Sequence, residues 1–252
     1  MTIDFHSVWS QTERVASGLT VLDVVDSTNT WSVKRGLEPY WIVLSWNQTH
    51  GRGRWDRTWI SHPGESLALS VALPADWSQG IHEIPPSWIP LVAGSCAVRS
   101  IRNLGIREVG AKWPNDLVHQ GKKLAGILIE FDAQRQPIIG LGLNVWFEGD
   151  RPTPRAVSLS ELSHLEPGSV DSFVAEFITE LKKCEGLSVN DLSDRVMETL
   201  VTVGKPVTVS PPGGEPWDGV AEGLDGYGAL LVRDHQNRVH AQSASDVEHL
   251  YQ

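Results

Sequence analysis

The chain has only two cysteines in 252 residues, Cys96 and Cys184. That excludes a disulfide framework, and both sit in helix-like apolar patterns that read as buried thiols of a reducing compartment. The nine histidines are scattered, without His-x-x-x-His or Cys-x-x-Cys spacing, so a structural metal site has no support. Positive charge is the minority sign: 21 Lys and Arg against 31 Asp and Glu, a formal net charge of -10. A broad basic surface for nucleic acid is thereby excluded, and no DNA partner is expected, although a small nucleotide needs only a local cluster. No apolar run approaches the roughly 20 residues of a membrane span, and the first residues lack the basic and apolar regions of a signal peptide. Internal repeats and low-complexity tracts are lacking too. Neither the P-loop pattern GxxxxGK[ST] nor a GxGxxG after a strand occurs. What is left is an ordinary globular chain, 40% hydrophobic and 21% charged, with a cytoplasmic location expected and room for one large domain, or a large one plus a small one.

Against that acidic background, residues 48–59 concentrate arginine and glycine: Gln48-Thr49-His50-Gly51-Arg52-Gly53-Arg54-Trp55-Asp56-Arg57-Thr58-Trp59. Glycine lets the backbone approach a ligand closely, and guanidinium forks match carboxylate and phosphate oxygens. The stretch reads as an anion-binding loop or, taken alone, as a solvated surface loop.

The flanking sequence places it. Residues 19–25 are a short β-branched run, read as a strand that stops at Asp26-Ser27-Thr28-Asn29. That hydroxyl cluster opens a weak helix running to Gly36, either as a simple cap or as donors facing a ligand. Strand 41–46 delivers the arginine loop, and residues 66–73 form a half-buried strand after it, so the loop links two strands of one sheet. Residues 87–104 read as a helix with Pro90 in its first turn. A hairpin follows: a strand-like piece 111–117, a turn at Gln120-Gly121 and a second piece 122–130. In strand 137–145 glycines alternate, suggesting a bare sheet face under a flat ligand, or else a bulge or tight packing contact. Two amphipathic helices carry Phe173, Val174, Phe177, Ile178 and Leu181, then Leu192, Val196 and Leu200, as core. Short strands at 207–209, 219–222, 229–232 and 238–241 suggest a small SH3-like β-barrel. The boundary is placed near 202–204, giving domains 1–202 and 203–252.

Five motifs then stand in order: Asp26-Ser27-Thr28-Asn29; Gln48-x-x-Gly51-Arg52-Gly53-Arg54; Lys112-Trp113-Pro114-Asn115-Asp116-Leu117; Lys123-Leu124-Ala125-Gly126-Ile127-Leu128; and Gly140-x-Gly142-x-Asn144. In this order and spacing the chain resembles the biotin protein ligases, over roughly residues 19 to 146. The resemblance implies an α+β catalytic core of the class II aminoacyl-tRNA-synthetase-like kind. This is a mixed, largely antiparallel sheet flanked by helices, with the small SH3-like domain at the C-terminal end. It also implies the activity. Biotin and Mg-ATP give biotinyl-5′-adenylate and pyrophosphate, and a lysine of a biotin carboxyl carrier domain then displaces AMP.

By the same resemblance, Ser27, Thr28, Asn29 and Gln48 hold the ureido head of biotin, while Gly51, Gly53, Gly126 and Gly140 leave room for it. Arg52, Arg54 and Lys123 contact the reacting oxygens, and Asp116 is the carboxylate near Mg²⁺. Arg54, Arg57, Lys112, Trp113, Asn115 and Asn144 lie on the nucleotide side. Asp116 can also be read as a hairpin cap and Asn144 as a strand-end residue. Trp113, Trp59 and Trp146 each read as an adenine platform or as core. No tightly bound cofactor is implied, and a monomer and a homodimer both remain open. Two positions depart from the family pattern: His50 stands where a small residue is usual, and Asp56 where glycine is common, which suggests a stiffer loop. The stretch before Asp26 is too short for the operator-binding domain of some relatives, so no repressor role is expected. A lipoate or octanoate ligase and a non-catalytic biotin or nucleotide binder are the rival readings.

Overall fold

The alternation of apolar with small or polar residues along the strands is realised as one sheet with two unlike faces. In the computed structural model, which describes residues 5–77, 84–243 and 246–250, α1 (Phe5–Thr12) leads into β1 (Gly18–Leu22), α2 (Thr28–Val33) and β2 (Trp41–Ser45). The arginine loop contains a 3-10 turn (Arg54–Asp56) and is followed by β3 (Ser66–Ala72). Next come a second 3-10 turn (Pro86–Trp88), α3 (Ile89–Asn103), β4 (Val109–Lys112), β5 (Asp116–His119), β6 (Lys122–Phe131) and β7 (Pro137–Asn144). Helices α4 (Leu159–Leu162), α5 (Ser169–Lys183) and α6 (Val189–Met197) follow.

The seven strands are ordered β1-β2-β3-β7-β6-β5-β4, with β1 and β2 parallel and the other pairings antiparallel. Register sorts the side chains. Leu69, Leu141 and Ile127 stand side by side on one face, buried. That face is the floor of a core roofed by α3 and α5 through Val92, Cys96, Phe173 and Phe177. On the opposite face the same register aligns Ala68 with Gly142 and Gly126, and Ser70 with Gly140. One face is filled by branched chains; the other is nearly bare.

Two helices were not anticipated from sequence. Helix α1 packs on α5 through fully buried Val8, and α4 is held by a capping box between Ser158 and Glu161. One expectation is corrected. The piece 111–117 is not a single strand: the chain reverses through Trp113-Pro114-Asn115, and β4 and β5 pair so that Lys112 lies opposite Asp116. A strand with proline at its centre cannot continue a ladder. The hairpin expected at Gln120-Gly121 is present, with φ of 47° and 76° at those residues, as a tight two-residue turn requires. The helix expected at 87–104 begins instead as the short 3-10 turn ahead of Ile89.

The C-terminal strands are β8 (Pro206–Ser210), β9 (Trp217–Leu224), β10 (Leu230–Asp234), β11 (Val239–Gln242) and β12 (Asp246–His249). They form a five-stranded antiparallel sheet ordered β11-β10-β9-β8-β12, consistent with an SH3-like domain. β12 was missed in the sequence. Among the described residues β11 and β12 do not pair, so the strands form a five-stranded sheet in which barrel closure is not seen.

This second sheet is fastened to the first. Three successive carbonyls of the β9–β10 turn accept side-chain donors from the larger unit: Gly226 from Trp88 Nε1 (3.0 Å), Tyr227 from Ser87 Oγ (2.6 Å) and Gly228 from Trp113 Nε1 (3.1 Å). Within the turn, Asp225 Oδ1 accepts from the backbone amides of Tyr227 (2.8 Å) and Ala229 (2.9 Å). A further contact runs through Thr202, whose Oγ1 accepts from the Trp113 amide (2.9 Å) and lies 3.1 Å from His249 Nε2. The hydroxyl proton is then available to His249, which accepts it only while that nitrogen is unprotonated. Burial, then the positive charges of Lys112 and Lys205, push the His249 pKa down to about 4.

Since its unfolded value is near 6.5, the unfolded chain binds more protons between these limits. The stability contributed by neutral His249 is therefore present above about pH 6.5 and lost as pH falls toward 4. Thermal melts from pH 7 down to pH 4.5 should show a steeper loss for the wild type than for His249→Gln. Parallel curves would contradict this role.

Among the described residues, no helix is long and apolar enough to cross a membrane.

Candidate active site

A cavity of about 380 Å³ opens on the bare face of the seven-stranded sheet. The start of α2, the arginine loop, both flanks of the β4–β5 turn, Lys123 and the strip Gly126, Gly140 and Gly142 line it, and Val247 and Glu248 of β12 close one side. All five sequence motifs contribute most of their residues here, from segments far apart in the chain. Small side chains make the space, and the loops furnish its chemistry.

One end is neutral and closely hydrogen-bonded. Ser27 is the N-cap of α2 and accepts from the Thr30 amide at 3.4 Å. The Thr28 amide donates to Gln48 Oε1 at 2.8 Å, with Thr28 Oγ1 3.2 Å from the same oxygen. Asn29 Nδ2 donates to the Leu128 carbonyl at 3.3 Å. Ser70 Oγ lies 2.8 Å from Thr28 Oγ1 and 2.7 Å from Asn29 Oδ1. A hydroxyl has one proton and an amide oxygen can only accept, so Ser70 donates to Asn29 Oδ1 and Thr28 Oγ1 to Gln48 Oε1, with the two hydroxyls in contact between them. Ser70 was not singled out in the sequence. Its only signal was a small polar residue on the inward side of a strand. A cap alone would not need these cross-sheet bonds: the cluster is a preorganised polar socket.

The other end is charged. Lys123 Nζ is 2.7 Å from Asp116 Oδ1 and 5.6 Å from the Trp59 ring centre. Arg54 donates to Asn115 Oδ1 at 3.3 Å, and Asn115 Nδ2 in turn donates to the Ile127 carbonyl at 2.8 Å. Arg52 is further out, half-exposed and 2.6 Å from Glu130 Oε1. Burial lowers the pKa of Lys112, with Asp116 and Glu248 acting against that and Lys123 and Arg155 with it. Five cations, Arg52, Arg54, Arg57, Lys112 and Lys123, thus line the cavity against two carboxylates, Asp116 and Glu248, an environment that favours an incoming anion.

The loop is an ordered excursion. Gly51 O accepts from Trp59 N (2.9 Å), Arg52 bridges Thr58, and Gly53 N donates to Arg57 O (2.7 Å). A Cβ on Gly51 would come 2.6 Å from the Trp59 carbonyl, so glycine is sterically required there. At the tip Trp55, 55% exposed, has a left-handed backbone, φ 56°. The Asp56 side chain lies outside the described residues; His50 Nδ1 is 3.0 Å from Thr49 Oγ1. Loop closure brings Trp59 onto the bare strip, where a Cβ on Gly142 would lie 2.5 Å from its indole and one on Gly126 3.1 Å away. A Cβ on Gly140 would meet Asn29 Oδ1 at 2.6 Å. The alternate glycines of β7 are therefore close-approach sites without a bulge, Gly142 against Trp59 and Gly140 against Asn29.

Several expected site residues stand elsewhere. Gly51 is behind the wall, holding the loop's base. Asn144, 2% exposed, is outside the cavity lining: its Nδ2 is shared by the carbonyls of Lys123 (3.3 Å) and Val157 (3.2 Å), and its Oδ1 accepts from Ser66 Oγ (3.2 Å). It is a strut under the Lys123 strand. Trp113 borders the cavity but is 2% exposed and committed to Gly228. Trp146 packs on Trp46, ring centres 5.1 Å apart, away from the site. Arg57 lines the cavity. Glu130, Ala68, Val247 and Glu248 were missed, the last two because β12 was. Among the described residues, no cluster of three or more His, Cys, Asp or Glu could hold a metal ion. Asp116 alone, paired to Lys123, does not make a resident metal site, though one carboxylate suits a Mg²⁺ that arrives on substrate phosphates.

Comparison with known proteins follows the same lines. A profile of the Biotin/lipoate A/B protein ligase family matches residues 21–144. The chain is 33% identical to the biotin--[acetyl-CoA-carboxylase] ligase of Mycobacterium tuberculosis, over 98% of this chain and 96% of that protein. It is 30% identical to the bifunctional ligase/repressor BirA of Escherichia coli, over 85% of this chain and 68% of the relative. The solved biotin protein ligase of Aquifex aeolicus, in complex with biotin and ATP, has the same fold. Its TM-score is 0.78 at 23% identity, covering 93% of this chain and 100% of the other.

Proposed function

Because the chain belongs to the biotin protein ligases, within the biotin/lipoate A/B protein ligase family, we infer that it activates biotin with ATP and transfers it to a carboxylase. In detail, a biotin carboxylate oxygen attacks the α-phosphorus of ATP. The bond from that phosphorus to the β-phosphate bridge breaks, and pyrophosphate leaves. An uncharged lysine amine of a biotin carboxyl carrier domain then attacks the acyl carbon. An amide forms, the acyl–phosphate bond breaks, AMP departs and the amine proton is released. The reaction belongs in the cytoplasm, where ATP and carboxylases are at hand.

The observation that carries this reading is the division of one cavity into a neutral hydrogen-bonding socket and a cationic end. Thr28, Asn29 and Gln48, braced by Ser70, suit an uncharged ureido head. Gly126 and Gly142 seat the Trp59 indole, which forms one wall for the rest of the ligand, and Gly140 makes room for Asn29. Lys123 and Arg54 stand where carboxylate and α-phosphate must be forced together, and positive charge in a partly desolvated pocket lowers that barrier. Arg52 swings from Glu130 to the same oxygens as the loop closes. Lys112, Asn115 and Arg57 face the nucleotide side, with Glu248 in reach of the Lys112 charge. Magnesium enters with ATP to neutralise its phosphates, and Asp116 is the carboxylate that would take it once Lys123 turns to biotin. We assign the catalytic work to residues 1–202 and set the C-terminal domain at 203–252.

The test is incubation with biotin, Mg-ATP and a carrier domain. We expect biotin-dependent pyrophosphate release and a mass gain of one biotinyl group on the carrier, with lipoate a poor competitor. Pyrophosphate release that does not depend on biotin would overturn the reading.

A further inference from the structure

Beside the reaction cavity lies a second recess, of about 210 Å³, between the end of β6, the Pro86–Trp88 turn and the β9–β10 turn. It shares Arg54, Asn115 and Leu128 with the cavity, so the two spaces meet across the Arg54–Asn115 hydrogen bond. Its rim is apolar and exposed: Phe131 is 42% and Tyr227 73% accessible, with Pro86 beside them. Arg54 is the one charged residue lining it, among the described residues.

The placement of Tyr227 is not that of a loose loop residue. The carbonyls of Gly226, Tyr227 and Gly228 are each bonded to the larger unit, and Asp225 ties the turn internally. The backbone is locked while the ring is held out in water. A rigid, exposed aromatic on an anchored turn is an interface anchor in waiting, because little conformational freedom is lost when a partner covers it.

We propose that this recess, with Tyr227 and Phe131 as its anchors, is the docking surface for the acceptor domain. It would seat the neutral side chains that flank the acceptor lysine, so that the amine enters the cavity beside Arg54. This rests on the reading of the chain as a biotin protein ligase. The occupant follows from three features. The second step requires a macromolecule whose lysine reaches the activated carboxyl group, and this apolar surface is continuous with the cavity. Among the described residues, no carboxylate lines the recess to hold a lysine ammonium short of the reaction centre. Its volume is that of one or two side chains, which suits the tip of a protein loop.

The experiment uses the full-length chain with Tyr227→Ala, Phe131→Ala and the double variant, and with Tyr227→Phe as the conservative control. Adenylate formation is followed by biotin-dependent pyrophosphate release, transfer to a small nucleophile by hydroxamate formation with hydroxylamine, and transfer to an intact carrier domain by mass. The double variant should leave the first two within twofold and the melting temperature unchanged. It should lower kcat/KM for the carrier at least tenfold, chiefly through KM, and Tyr227→Phe should restore most of that. Unchanged carrier transfer would overturn the proposal. So would a rise in KM for ATP together with slowed adenylate formation, which would make the recess a nucleotide subsite. A wild-type chain forming no adenylate would overturn the proposed function and this inference with it; adenylate formation with normal carrier transfer by the double variant overturns the docking surface alone.

Discussion

Lys123→Ala should slow adenylate formation by roughly 10²- to 10³-fold, the range seen when one charge-stabilising donor is removed from an active site. Its ammonium group is the one that bridges the loop and the hairpin, 2.7 Å from Asp116 and facing the Trp59 ring. As biotin carboxylate approaches phosphate, that charge offsets a repulsion that alanine leaves bare. The fold should hardly notice. The side chain is 40% exposed, and a partly solvated ion pair contributes about 1 kcal/mol or less. Quenched single-turnover assays should therefore show a slow chemical step in a protein whose melting temperature moves by a few degrees at most. Arg54→Ala should share the defect, with an added loss of adenylate retention. A near-normal single-turnover rate in both variants would remove these residues from the reacting centre.

Gly140→Val should abolish measurable biotin binding by a different route, lowering affinity by more than about 100-fold. The added Cβ would stand 2.6 Å from Asn29 Oδ1, and Asn29 cannot retreat: it is 4% exposed and bonded to Ser70 and Leu128. The socket must deform before any ligand arrives. Overpacking of this kind costs about 1–3 kcal/mol, so the chain should remain folded but melt earlier. Gly223→Ala, with open space around it, serves as the neutral control. Calorimetric titration with biotin separates the cases; binding by Gly140→Val within tenfold of wild type would show that the socket lies elsewhere. Gly142→Ala should be milder, because its obstacle is the Trp59 ring, which the loop can carry away.

Much of this was legible in the residues. Strands β1, β2, β3 and β7 and helices α5 and α6 announce themselves by period, and the α2 cap by its hydroxyl cluster. Motif order groups Ser27, Gln48, Arg54 and Lys123, and all four line the cavity. What escaped is what tertiary contact decides. The reversal at Trp113-Pro114-Asn115 looked like a strand because its neighbours are apolar, yet it sets Lys112 opposite Asp116. Asn144 sits in a ligand motif but spends its amide on the carbonyls of Lys123 and Val157. Ser70 carries no motif and acts only through Thr28 and Asn29. β12 is short and polar, and its pairing with β8 supplies what its own sequence does not.

The indole donors of Trp88 and Trp113 have a consequence for cooperativity. Both rings are 1–2% exposed, and each finds its acceptor only in the β9–β10 turn of the other unit. Chain division near residue 202 would orphan two N–H groups in the larger piece, at a cost of about 1–3 kcal/mol each. It would also strip the site cavity of Val247 and Glu248. A boundary easily drawn in composition is thus not a seam in free energy. Melting one sheet withdraws hydrogen-bond partners from the other, and the segment carrying Lys112 is the first to feel it.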